Sequence, residues 1–186
     1  MVPKIRFSMF MKSWELYKLT DRVMLYSGLT YSPNDISKCG IRVLRSSNIN
    51  EDSFVTYQDD VFVNIDAINI PYAQNGEIII TSANGSPRLV GKHAIVVNLT
   101  DNSAVAGGFM LIGKSEYSEF MNASMSSNWY RTFLGIHVAG GNGAIGNLNK
   151  NELDKYEFLV PNNNEKKKIG TLFSNLDNLI TLHQRK

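Results

Sequence analysis

From Pro161 onward the chain reads PNNNEKKKIGTLFSNLDNLITLHQRK, and this tail constrains the fold more than any other stretch. Proline closes the strand-like run Tyr156–Val160. Three asparagines then offer caps, because their side-chain oxygens accept hydrogen bonds from the free N–H groups of a starting helix. Ile169, Leu172, Phe173, Leu176, Ile180 and His183 follow in the i, i+3, i+4, i+7, i+11, i+14 pattern of one helix face, flanked by Leu179 and Leu182. That is a narrow apolar stripe suited to packing on another helix. At about 1.5 Å per residue it is a rod of roughly 33 Å. Periodicity alone fits two outcomes equally: a helix folded back on its own domain, or one that docks on a partner.

Upstream of Pro161 the pattern is that of a mixed α+β domain with an irregular sheet. Residues 22–27 and 41–45 read as strands, and Glu77–Ser82 most clearly so, since Ile78, Ile79 and Ile80 are β-branched. Ala83-Asn84-Gly85-Ser86-Pro87 is a turn, and His93–Leu99 is the expected return strand of a hairpin. Val105–Ile112 reads as a strand with a bulge at Gly107-Gly108. A helix is expected from Ser115, with Tyr117, Phe120, Met121, Met125 and Trp129 on one face. Thr132–Val138 reads as a strand, and Asn149 as the cap of a short helix over 150–155. The predicted organisation is one domain over 1–160 and a coiled-coil-type helix over 161–186.

Composition narrows the function. Hydrophobic residues make up 43% of 186, enough for a buried core. The net charge of +2 neither establishes nor excludes nucleic acid, because a duplex meets a local patch rather than a sum. A single cysteine, Cys39, excludes an internal disulfide and fits a reducing cytoplasm. The N-terminal residues lack the apolar core of a signal peptide, and no apolar run approaches the ~20 residues that span a membrane. The expectation is a cytoplasmic protein without a membrane segment.

Candidate catalytic groups are sparse. Gly141–Gly146 spells G-x-G-x-x-G, but no helix runs out of it and too little chain follows for a dinucleotide fold. A backbone approach to phosphates or bases and a purely structural loop both fit it. His93, His137 and His183 have no metal-type partner one helical turn away, Cys39 has no neighbouring His, and Tyr130-Arg131 beside Trp129 reads as core. Asp59, Asp60, Asp66 and Glu77 would be the carboxylates of a small metal-dependent restriction-type nuclease, yet Glu77 lacks the lysine two residues on that would complete the motif. No catalytic residue, metal ligand or cofactor is assigned.

Polar side chains suited to reading DNA are plentiful. Arg42, Arg45, Ser46, Ser47 and Asn48 cluster at one strand end. Thr81, Ser82, Asn84 and Arg88 surround a hairpin tip with Lys92 just beyond, and Asn142 lies in the glycine-rich loop. Arginine pairs bidentately with guanine, asparagine with adenine, and serine or threonine reaches base or phosphate. Arg45 and Asn84 are the best base-reading candidates, Arg88 and Lys92 the best phosphate contacts.

The order of short motifs resembles a known family. Pro161, Glu165, Ile169, Phe173, Leu176-Asp177 and Ile180 resemble the signature that opens the long helix in specificity subunits of Type I restriction–modification systems. Trp14 with Leu19, Gly28-Leu29-Thr30, Gly40–Arg45 with Asn48-Ile49, and Asn75–Thr81 with Gly85 and Gly91-Lys92 fall in the family's order, as do Gly143, Ile145, Leu148 and Leu153. Lys166 replaces the family's usual Gln and Glu77 its usual Asp. The resemblance implies a target-recognition domain that reads one half of a bipartite site on double-stranded DNA. It also implies a helix, with Ile169, Leu172, Phe173, Leu176 and Ile180 on its seam, that pairs with a second copy or another specificity half and docks a DNA adenine methyltransferase subunit. Chemistry would then lie in that subunit and in a restriction/translocase subunit. Family members carry two such domains, so this chain is expected to be a half-subunit, a truncated product or a cut piece. An antirestriction module using the same helix is a further alternative.

Overall fold

The computed structural model describes residues 6–139 and 145–184. Its centre is an antiparallel sheet in the strand order His93–Ile95, Ile78–Thr81, Met110–Lys114, Met24–Ser27. Successive side chains of a strand point to opposite faces, so the unbroken Ile78-Ile79-Ile80 run requires cover on both sides. Ile78 and Ile80 pack with Leu25, Leu111, Phe120, Met121 and Phe133 on the helical side. Ile79 packs with Leu44, Ala94, Ala106, Met110 and Ile112 against a second sheet.

That second sheet runs Ala104–Ala106, Ile41–Leu44, Phe62–Val63, Ile36–Ser37, with its first two strands parallel. A third, small sheet joins Val138–Ala139, Gly146–Leu148 and Ala83–Asn84. The expected hairpin is present, with His93 opposite Ile80, and the architecture is the predicted α+β domain with an irregular sheet followed by a helix.

Two expectations change. Val105–Ile112 is not one bulged strand: Ala104–Ala106 and Met110–Lys114 belong to different sheets, and Gly107–Met110 is a closed turn between them, with Met110 N donating to Gly107 O at 2.8 Å. Likewise, Ser115–Trp129 is not one helix followed by a strand. Helix α1 spans Ser118–Met125 and helix α2 spans Asn128–His137. Ser126-Ser127 interrupts them, since serine competes with a helix for its own backbone. The β-branched character of 132–138 loses to burial: Tyr130 and Phe133 are sealed in the core, and Phe133 stacks on His137 one turn away at 4.7 Å. Trp129 stacks on Phe158 at 4.7 Å. Tertiary packing outweighs propensities of this size.

The predicted cap is in place. Asn149 Oδ1 accepts from Asn151 N and Glu152 N to start helix α3, Lys150–Lys155. The following strand Glu157–Val160 pairs antiparallel with Glu15–Lys18, which brings the beginning of the chain beside helix α4, Asn163–Gln184. Asn162 caps α4, its Oδ1 accepting from Glu165 N at 3.1 Å. Glu165 is fully buried. Its carboxylate accepts Arg6 Nε and Nη2, each at 2.6 Å, and Trp14 Nε1 at 3.2 Å.

Helix α4 therefore has two parts. Glu165, Lys166 and Gly170 are buried, and Ile169 packs on the domain core. Beyond them Leu172, Phe173, Leu176, Leu179, Ile180 and Leu182 are 43–61% exposed. The fold-back reading thus holds for the first two turns. At the crossing with α1, a Cβ on Gly170 would lie 2.8 Å from the Phe120 amide nitrogen and 2.9 Å from Glu119 Cβ. Only glycine permits this approach. Gly170→Val should cost about 1–3 kcal/mol through overpacking, lowering Tm by roughly 2–12 °C for a chain of this size. Thermal unfolding followed by circular dichroism measures it, and an unchanged Tm would mean that α4 does not press on α1.

Candidate nucleic-acid interface

Three chain segments meet at one end of the two sheets. Strand Ile41–Leu44 leads into Arg45, strand Ile78–Thr81 leads through Ser82 into Ala83-Asn84, and the turn Gly107–Met110 lies between them. Backbone hydrogen bonds lock the turn to both. Gly107 N donates to Leu44 O at 2.8 Å, and the Phe109 carbonyl accepts from Ser82 N and Ala83 N at 2.9 and 3.1 Å. A fourth segment closes the assembly, with Gly28 N on Met110 O at 3.1 Å and Leu29 N on Ala106 O at 2.7 Å. A Cβ at Gly28 would fall 2.0 Å from Gly107 O, which gives that glycine its physical reason. The surface above holds an open groove of about 340 Å³ whose lining includes Thr30, Tyr31, Arg45, Ser46, Asn84 and Phe109.

Arg45, Ser46 and Asn84 are thereby brought together, although 38 residues separate the last two. Asn84 Nδ2 donates to Ser46 Oγ at 3.0 Å, and its Oδ1 accepts from Ser86 N at 2.9 Å. Arg45 and Ser47 are exposed, and Arg45 makes no ion pair among the described residues. Arg88 is exposed on the short turn Pro87–Leu89, and Lys92 is half-buried beyond it.

Other candidates turn out to build the frame rather than face solvent. Asn48, Thr81 and Ser82 are buried, so a bound duplex would not reach them without local unfolding. Asn48 Oδ1 accepts from Arg45 N at 2.7 Å, and its amide donates to Val55 O and Asp60 Oδ1, both at 3.0 Å. Arg42 lies across the Phe62 ring, donates to Tyr57 O at 2.7 Å and forms an ion pair with Asp60. Asp60 also accepts from Tyr57 N at 2.8 Å. Arg42 and Asn48 are short polar anchors under the loop that carries Arg45. Asn142 lies outside the described residues.

Tyr31 and Phe109 are groove residues that the sequence did not single out, and Thr30 entered only through the Gly28-Leu29-Thr30 motif. The Gly107-Gly108 pair was the available signal for Phe109, since paired glycines mark a turn as readily as a bulge.

Two carboxylates of the nuclease alternative, Asp60 and Glu77, are committed to protein donors, while Asp59 and Asp66 are exposed. Asp60 is held as described. Glu77 is buried and accepts Tyr26 Oη at 2.8 Å and Gln74 N at 2.9 Å. Burial, and then the Glu77 contact, push the Tyr26 phenol well above its ordinary range. His93 is buried on Asn122 at 2.9 Å, and burial lowers its pKa. Tyr130 is buried, its hydroxyl without a partner among the described residues, and burial raises its pKa. No group of three or more His, Cys, Asp or Glu side chains among the described residues could hold a metal ion.

Asp60 is the test of the frame. Removing one member of a buried pair leaves its partners' donors unmatched, at about 3–5 kcal/mol, and the partial exposure of Arg42 places Asp60→Ala near the lower figure. Chemical denaturation should show that loss, and any duplex binding that depends on Arg45 should weaken with it. Wild-type stability in Asp60→Ala would mean that the network does not hold the loop.

With that geometry in place, known proteins supply the context. No helix of the described residues is long and apolar enough to cross a membrane. No curated protein matches the chain in sequence. Among solved structures, an S subunit of a Type I restriction–modification system from M. genitalium superposes with a TM-score of 0.57 at 15% identity, over 100% of this chain and 46% of that one. The HsdS subunit from Thermoanaerobacter tengcongensis gives 0.59 at 7% identity, covering 98% and 41%. A chain from a study of complex assembly and conformational transition of the type I R-M system gives 0.66 at 9% identity, covering 96% and 42%. At such identities the likeness is one of fold, and this chain spans less than half of each. The sequence itself matches the Type I restriction modification DNA specificity domain over residues 11–186, and the chain belongs to that family.

Proposed function

We propose that this chain is a non-catalytic DNA-recognition unit of a Type I restriction–modification complex. In this reading residues 1–160 read one half of a bipartite double-stranded target, and the helix from residue 161 is a spacer. The spacer pairs with a second copy or another specificity half and docks the adenine methyltransferase subunit. Methyl transfer, and ATP-driven translocation and cleavage, belong to partner subunits, and no cofactor binds here. The observation that carries the reading is the groove: Arg45 and Asn84, side chains suited to guanine and adenine edges, stand on separate segments locked to one turn. The exposed apolar stripe of α4 from Leu172 to Leu182 supports the pairing role.

Readout and positioning separate by mutation. Arg45→Ala or Asn84→Ala should cost about 1–3 kcal/mol on the cognate site and relax preference at one base pair. Arg88→Ala or Lys92→Ala should weaken all sequences alike and flatten the salt dependence. Binding titrations on cognate and scrambled duplexes at several salt concentrations distinguish the two. Equal, sequence-independent losses for all four would remove the base-reading assignment.

Pairing is tested through the helix. Phe173→Asp puts a charge into the stripe and should abolish association, since an unpaired charge buried in an interface costs several kcal/mol. Phe173 is itself 46% exposed, so the far-ultraviolet circular dichroism should not change. Two identical copies related by a two-fold axis present the same reading surface in opposite orientation. Mapping methylated adenines in cells with this chain as the sole specificity component should therefore give an interrupted palindrome. An asymmetric motif would exclude the homodimer, and unaltered sedimentation of Phe173→Asp would exclude the stripe.

A further inference from the structure

Phe109 is 62% exposed, and a single exposed phenylalanine would ordinarily need no explanation. Its setting supplies one. The backbone of Phe109 is among the most constrained on this surface: its carbonyl is clamped by Ser82 N and Ala83 N, the next residue closes the turn onto Gly107, and Gly107 is bonded to Leu44. The preceding residues are both glycine, so no neighbouring side chain on that side covers the ring. Among the described residues the ring makes no aromatic or cation–π contact, unlike Phe62, Phe120, Phe133 and Phe158. A bare ring on a fixed stretch of backbone thus lines the same groove as Arg45, Ser46 and Asn84.

We propose that Phe109 is a specificity residue that reads thymine through its 5-methyl group. The inference rests on the DNA-recognition reading above. Arginine and asparagine distinguish guanine and adenine by bidentate pairing in the major groove, where the thymine methyl is the one apolar feature that a base presents. A phenyl ring in the same groove as such side chains can meet that methyl while they meet their bases. The fixed backbone matters, because a ring on a mobile loop would fit many steps equally. Here the locked turn sets its position relative to Arg45 and Asn84, so the thymine it prefers stands at a fixed offset from the bases they read.

The test uses the full chain and a pool of random duplexes from which its preferred site is selected. Each thymine of that site is then replaced in turn by deoxyuridine, which removes only the methyl. Wild type should lose about fourfold in affinity at one position, the transfer value of roughly one buried methyl-sized group. Phe109→Ala should bind the thymine and deoxyuridine duplexes equally at that position, and Phe109→Leu, which stays apolar, should keep a preference. If no position responds in wild type, or if Phe109→Ala keeps the response, the thymine assignment is wrong while the selected site still upholds base reading by the groove. Should 2-aminopurine in the site brighten with wild type and not with Phe109→Ala, the ring is a wedge between base steps instead. Selection of no preferred site at all would overturn both this inference and the recognition reading beneath it.

Discussion

A carboxylate removed from water must find its countercharge inside the protein, and the Glu165 side chain is fully buried. Left alone, such a charge would cost far more than a folded domain has to spare. Arg6 and Trp14 meet it with three hydrogen bonds. Glu165 stands on the first turn of α4, while Arg6 and Trp14 come from the beginning of the chain, so satisfying one charge fixes the root of the helix against the far end of the sequence. The strand pair Glu15–Lys18 with Glu157–Val160 repeats the tie one layer away. The rest of the architecture hangs between these two joints, and the direction in which α4 leaves the domain follows from them.

The interface obeys a division of labour that hydrogen bonding imposes. Side chains that hold the polar loops in place have their hydrogen bonds met within the protein, and those that read a ligand keep donors or acceptors to spare. Asp60, Asn48 and Arg42 meet the first condition, Arg45 the second. Loops that bind are effective when a rigid scaffold fixes their roots. Here the scaffold is the two packed sheets, whose strands Ile41–Leu44 and Ile78–Thr81 end where the loops begin.

Much of this was legible in the sequence, and the exceptions have identifiable causes. The central hairpin, the Asn149 cap and the long terminal helix were readable because local chemistry and tertiary context agree there. Residues 132–138 look like a strand in sequence because of the β-branched and aromatic side chains at Thr132, Phe133 and Ile136, while the decisive contacts, Trp129 with Phe158 and Phe133 with Tyr156, join residues far apart in sequence. The polar cluster around Arg45 was visible as composition, but which of its members would be consumed by Asp60 depends on strand pairing that no local pattern records. Phe109 went unnoticed because a lone aromatic beside two glycines carries no period.

The contact at Gly170 acts as a fulcrum. The fourteen residues that follow Gly170, up to Gln184, form an arm of about 21 Å, and a tilt of about 10° at its root would carry the tip roughly 4 Å. That displacement is close to the rise of one base pair, about 3.4 Å. For a helix proposed to set the distance between two half-sites, the size of one residue against α1 is therefore a ruler setting. A slightly larger side chain at that position need not abolish recognition; it would shift the register between two halves, changing how many unread base pairs the complex spans.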